Sequence, residues 1–124
     1  MEFPDHLSYT AEHEWLYIDG EIATVGVTTF AADSLGDIVF VDLPAVGSTI
    51  VAGQPCGEIE STKSVSDLYA PVDGQIVEIN QAVVDAPGLI NADPFDKGWL
   101  FRVAFSEAPQ LLDAAAYDAL NGGS

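Results

Sequence analysis

Two short segments of the chain echo one another. Val46-Gly47-Ser48-Thr49-Ile50-Val51 is answered by Val72-Asp73-Gly74-Gln75-Ile76-Val77, with apolar residues at three matched positions and an offset of 26. Each copy is a turn followed by a short β-rich run. A piece this small cannot bury its own apolar face, so the pair predicts two halves of a small sandwich or barrel built by duplication.

The flanking sequence follows the same rule of short runs and frequent turns. Residues 15–18 and 22–25 are β-rich and split by Asp19-Gly20, the dipeptide of a tight hairpin. Thr28 or Thr29 caps a short helix from Phe30 to Leu35, which Gly36 closes in the left-handed conformation. Residues 37–43 are nearly all apolar and predict a strand buried on both faces, ended by Pro44 and Gly47. Strands over residues 56–60 and 65–69 lie between the echo copies. Ser61-Thr62-Lys63-Ser64 joins them and puts Lys63 at or near a hairpin tip. Residues 80–98, with Pro87, Gly88 and Pro94, read as a long connection holding one helical turn at 87–90. Residues 99–105 return to strand. Pro109 opens a C-terminal helix to about Leu120, with Leu111, Leu112, Ala115, Ala116, Ala119 and Leu120 spaced to face the body. A length of 124 residues suits a single domain over 1–124.

Charge then narrows the partners. Twenty Asp and Glu face only Lys63, Lys97 and Arg102, for a formal net charge of -17. Neutralising phosphates takes a row of cations, so neither nucleic acid nor an anionic membrane surface is expected as a partner. The acidity suits a soluble, self-repelling surface or steering toward basic partner sites. Cys56 is alone, which excludes an intramolecular disulfide, fits a reducing compartment and reads as a small buried hydrophobe. Residues 1–10 carry Glu2 and Asp5 without an apolar run, unlike a signal peptide, and no apolar stretch is long enough to span a bilayer. A cytoplasmic protein is expected.

Few residues suggest catalysis. His6 and His13 lack a Gly-x-Ser-x-Gly elbow to present a nucleophile beside them, and His13, between Glu12 and Glu14, reads as structural or surface. Cys56 has no nucleophile signature, no Cys and His spacing suits zinc, and Asp93 with Asp96 lacks the ligand pattern of a calcium loop. No metal site and no active site of its own is expected. Lys63 remains: a hairpin tip holds out an amine that another enzyme can acylate, although a plain solvated lysine has the same pattern.

The chain resembles the glycine cleavage system H protein family over nearly its whole length. His13-Glu14-Trp15 fits the family's opening, residues 35–41 with Leu43-Pro44 its central strand, and Glu60-Ser61-Thr62-Lys63-Ser64 its lipoylation segment. Ser66, Asp67, Ala70-Pro71-Val72 and Gly74 follow, then Leu89-Ile90-Asn91, Asp93-Pro94 and Gly98-Trp99. The resemblance implies a mainly β fold, a flattened β-barrel or sandwich of the lipoyl/biotinyl hybrid-motif type, with short helices and a C-terminal helix.

It also implies a non-catalytic carrier with lipoate in amide linkage on Lys63. A pyridoxal-phosphate glycine decarboxylase loads an aminomethyl group onto the arm, and an aminomethyltransferase passes the unit to tetrahydrofolate. A flavin dihydrolipoamide dehydrogenase then reoxidises the dithiol, and lipoate-attaching enzymes install the group. Positions matching those that shelter the loaded arm are Glu14 and Asp67, two carboxylates suited to an ammonium. A monomer is expected. A biotin carrier would place Met on both sides of the lysine, where Thr62 and Ser64 stand. A 2-oxoacid dehydrogenase lipoyl domain usually lacks the His13-Glu14-Trp15 opening. The alternatives kept open are a lipoyl donor or relay for other enzymes, and an interaction module that is never lipoylated.

Overall fold

The computed structural model describes residue 4 and residues 6–105 and 111–120. The elements run in the order β1 (Ser8–Tyr9), β2 (Glu14–Asp19), β3 (Ile22–Val27), α1 (Thr29–Leu35), β4 (Ile38–Asp42), β5 (Thr49–Ile50), β6 (Pro55–Ser61), β7 (Val65–Tyr69), β8 (Gly74–Ile79), α2 (Gln81–Asp85), α3 (Leu89–Ala92), β9 (Phe101–Phe105) and α4 (Ala114–Leu120). Among the described residues the strands form a six-stranded sheet, β1-β2-β3-β9-β8-β5, and a three-stranded sheet, β4-β6-β7, paired antiparallel throughout.

One face of each sheet is apolar, and the two faces meet. Leu16, Val25, Ile76, Phe101 and Val103 from the larger sheet share a core with Ile38, Val41, Ile59 and Leu68 from the smaller one. Truncating a fully buried member such as Phe101 to Ala costs about 3–5 kcal/mol, which sets the scale holding the sheets together. A second cluster, Leu7, Tyr9, Trp15, Ala114 and Tyr117, docks α4 against β1 and β2. Trp15 fits there because Gly26 lies opposite it across the β2–β3 pair: a Cβ on Gly26 would come 2.5 Å from the Trp15 ring. The indole N–H of Trp15 donates to the Pro94 carbonyl at 2.9 Å.

The echoed segments pair with each other. Thr49 stands opposite Gln75 and Ile50 opposite Gly74, while the Ile76 N–H donates to the Ser48 carbonyl at 2.9 Å. Thr49 and Gln75 are matched positions of the echo, so a local two-fold axis passes between them. The repeat lies side by side in one sheet.

Several expectations are corrected. The apolar run at 37–43 is not buried on both faces: Val39 is 52% and Phe40 51% exposed. The register of β4 against β6 shifts between Ile38 and Phe40, a bulge that turns both residues outward while Ile38 and Val41 remain inside. Thr28 caps α1 as expected, accepting from the Ala31 N–H at 3.3 Å. Gly36 ends the helix at φ 84°, ψ -156°, outside the left-handed helical region and in backbone space that essentially only glycine occupies. The hairpin loop is Gly20-Glu21, since Asp19 still pairs with Ile22.

The long connection holds two helices. Asn80 caps the unexpected α2 through Ala82, and α3 begins two residues later than the expected turn at 87. At the C-terminus, Pro109 lies outside the described residues. Leu111 and Leu112 are not helical, because Leu112 pairs with Tyr9 as an extended bridge. Asp113 instead caps the helix, accepting from the Ala116 N–H at 2.7 Å. Ala114 and Tyr117 form the buried face, while Ala115, Ala116, Ala119 and Leu120 are exposed.

Candidate functional site

The β6–β7 hairpin is closed by a side chain. Ser61 is buried, and its Oγ accepts from the Lys63 N–H at 3.3 Å and the Ser64 N–H at 3.1 Å. The Ser61 N–H donates to the Ser64 carbonyl at 2.8 Å. A serine in this role replaces backbone partners that the tight turn cannot supply. The turn therefore comprises Thr62, Lys63 and Ser64, all exposed, with Lys63 at its centre. The stem of Lys63 lies across Gly36: a Cβ there would sit 3.3 Å from Cε, 3.8 Å from Cδ and 3.9 Å from Nζ.

Glu14 enters from the other sheet. It stands on the core side of β2, on the face opposite buried Trp15, and is 2% exposed. The Thr10 hydroxyl donates to Oε1 at 3.3 Å, whereas Oε2 is buried with no hydrogen-bond partner among the described residues. Burial in a low-dielectric interior disfavours the charged carboxylate and raises its pKa to about 8. The Thr10 hydroxyl and the Tyr69 backbone amide pull it down, and the Glu12 charge pushes it up. An uncompensated buried oxygen is costly, so Glu14 is poised to accept a donor or a cation.

Asp67 belongs to the smaller sheet. It is exposed on β7, two residues before Tyr69, and among the described residues no hydrogen bond or ion pair links it to Glu14 or Lys63. Cross-strand register places Asp67 opposite Glu58, and Glu58 opposite Asp42, an acidic row on the outer face of the smaller sheet. Phe40, Glu60 and Val65 form the next outward row, beside the turn that carries Lys63.

Other candidates have structural roles. His13 adopts φ 66°, and its ring packs on Phe30 with centroids 4.7 Å apart. Cys56 is half-buried at the bulge of β6. Desolvation first and the nearby Glu14 charge second push its thiol up to about 12, so it remains a protonated packing group. Among the described residues no group of three or more His, Cys, Asp or Glu gathers into a metal site, and no helix is long and apolar enough to cross a membrane. Thr10, whose hydroxyl donates to the Glu14 carboxyl, and Tyr69, whose backbone lowers its pKa, carry no signal in the sequence. Their contacts are made by turn and strand geometry that no local motif signals.

A lysine held at the exposed tip of a hairpin, on a small two-sheet sandwich, is the arrangement a carrier of a covalently attached arm requires. The family description "Glycine cleavage H-protein" matches residues 7–121. The chain is 59% identical over 123 residues to the glycine cleavage system H protein of Beutenbergia cavernae, covering 99% of each chain. It is 57% identical over 124 residues to that of Thermobifida fusca, covering 99% of this chain and 98% of the other. The crystal structure of a glycine cleavage system H protein from Mycobacterium marinum superposes with a TM-score of 0.93 at 50% identity, covering 97% of this chain and 99% of that one. The chain belongs to the glycine cleavage H-protein family. It is a non-catalytic lipoyl carrier of the glycine cleavage system, and it works with the other proteins of that system.

Proposed function

We propose that Lys63 carries the lipoyl group and that Glu14 and Asp67 shelter the loaded arm between visits to partner enzymes. The observation that carries the attachment is the position of Lys63: one of only two lysines, exposed at the centre of a turn whose backbone Ser61 holds. When bound, the lipoyl group supplies a dithiolane that takes up an aminomethyl unit as its disulfide is reduced. The chain supplies presentation and shelter. In this reading glycine decarboxylase loads the arm, aminomethyltransferase unloads it to tetrahydrofolate, dihydrolipoamide dehydrogenase reoxidises it, and a lipoate-attaching enzyme installs it. The cycle is cytoplasmic, in one carrier unit over 1–124.

Glu14 suits the cargo because an ammonium donates where Oε2 has no partner. A buried acid with a pKa of about 8 is mostly neutral at pH 7, so binding an ammonium expels its proton to solvent and leaves a compensated ion pair. Excluding water around that pair slows hydrolysis of the cargo. Asp67, exposed on the surface of β7, supplies a second anion for the same ammonium.

The test loads the lipoylated protein and the Glu14→Ala/Asp67→Ala double variant with the one-carbon unit and follows its loss as formaldehyde and ammonia. Faster loss from the double variant is expected. Equal rates would remove Glu14 and Asp67 from the role. Support of the exchange between glycine carboxyl and bicarbonate by glycine decarboxylase separates a cleavage carrier from a lipoyl relay.

A further inference from the structure

Asn91 uses both ends of its side-chain amide on one distant corner of backbone. Its Nδ2 donates to the Gly36 carbonyl at 2.8 Å, and its Oδ1 accepts from the Ile38 N–H at 2.9 Å, across 55 and 53 residues of sequence. The residue is exposed, and its bond to the Gly36 carbonyl lies at the surface, while its bond to Ile38 is partly buried. Two hydrogen bonds to residues on either side of Asp37 fix the orientation of the peptide units between α1 and β4.

That corner is the seat of the lysine. The Asp37 carbonyl accepts from the Thr62 N–H at 3.0 Å, which anchors the hairpin tip one residue before Lys63. Gly36, whose carbonyl Asn91 holds, is the residue across which the Lys63 stem lies, with Cε 3.3 Å from where a Cβ would be. Ser61 holds the lysine backbone from inside the hairpin, and the Gly36–Ile38 corner supports it from outside. A long unbranched side chain otherwise samples many rotamers in water, and fixing its base reduces the orientations an acylating enzyme must select among.

We propose that Asn91 is a positioning residue for Lys63, holding the Gly36–Ile38 corner as the seat that presents the lysine for acylation. This rests on Lys63 being the attachment residue. Among the described residues no hydrogen bond joins Asn91 to Lys63, and Asn91 acts through Gly36 and Asp37.

The experiment first maps the lipoyl group on the wild-type chain, then measures kcat/KM for lipoylation by a lipoate-protein ligase with lipoate and ATP. Asn91→Ala is compared with Asn80→Ala, which removes a similar clamp, from Asn80 Nδ2 to the carbonyls of Lys97 and Trp99 at 2.9 and 2.8 Å, far from the hairpin in sequence. Both are expected to lower Tm. Asn91→Ala should also lower kcat/KM about tenfold, while Asn80→Ala stays within about twofold of wild type. Asn91→Asp retains the acceptor for Ile38 and loses the donor to Gly36. It should give an intermediate rate, and it decides the case if the alanine variant does not fold. Equal kcat/KM for wild type, Asn91→Ala and Asn91→Asp would overturn the assignment of Asn91 alone. A lipoyl group mapped to another residue would overturn the attachment reading, and this inference with it.

Discussion

The Nδ1 of His13 lies 2.7 Å from the Tyr117 hydroxyl, joining residues 104 apart in sequence. The same hydroxyl is 2.8 Å from Thr28 Oγ1, and the Tyr117 ring stacks on Tyr9 at 4.9 Å. One phenol thus ties α4 to the residue that immediately precedes Glu14 and to the cap of α1. Tyr117→Phe keeps the stacking but leaves two polar atoms short of a partner. It should cost about 1–3 kcal/mol, read as a lower midpoint in urea.

Burial lowers the His13 pKa from 6.5, against the Glu12 charge that raises it, so the folded protein binds this proton less readily than the unfolded chain. Between the lowered value and 6.5, unfolding takes up a proton, and stability therefore falls as pH drops through that window. His13→Gln should weaken that acid-side loss in urea titrations between pH 7 and 5.

Glu14 works in the opposite direction. Its folded pKa of about 8 stands above the ordinary 4.5, so between those values the folded state holds a proton that the unfolded chain releases. Its contribution is fully present below 4.5 and lost as pH rises toward 8, with a limiting slope of about 1.4 kcal/mol per pH unit. Other carboxylates titrate too, so the informative quantity is the difference between wild type and Glu14→Gln. The variant should gain on wild type as pH rises from 5 to 8, measured by urea unfolding. A constant difference would place the Glu14 carboxyl in water.

Gly26→Ala introduces a Cβ 2.5 Å from the Trp15 indole, which must then leave its slot and its bond to the Pro94 carbonyl. A loss of about 1–3 kcal/mol is expected, with a shift in tryptophan fluorescence. Unchanged emission and midpoint would mean that the ring has room the structure does not show.

Asp42, Glu58 and Asp67 stand directly opposite one another across three strands, an arrangement that like charges make unfavourable. Glu58→Lys should raise Tm at low ionic strength, and the gain should shrink with added salt. If this face also meets basic partners, the same variant slows their association. Salt-independent association would leave the acidity to solubility.

The readable parts of the fold were those set by short-range chemistry. Asp19-Gly20, Thr28 and Gly36 marked turn, cap and helix end, and the polar Ser61–Ser64 stretch placed Lys63 at its tip. The misreadings arose where tertiary structure overrides local pattern. A bulge turned Val39 and Phe40 outward from an apolar run, and pairing of Leu112 with Tyr9 delayed the start of α4. Lys63, Glu14 and Asp67 are candidates that only the family resemblance singles out in the sequence. The Thr10 contact, the unpartnered Oε2 and the Asn91 clamp depend on backbone positions brought together across the fold.

Intact mass followed by peptide mapping, on protein from lipoate-competent cells, tests the central claim most directly, since only Lys63 and Lys97 compete for the group. The account predicts one lipoyl group, on the peptide containing Lys63, and none after Lys63→Arg. An unmodified Lys63 in the presence of an active ligase, or a lipoyl group on Lys97, would contradict it.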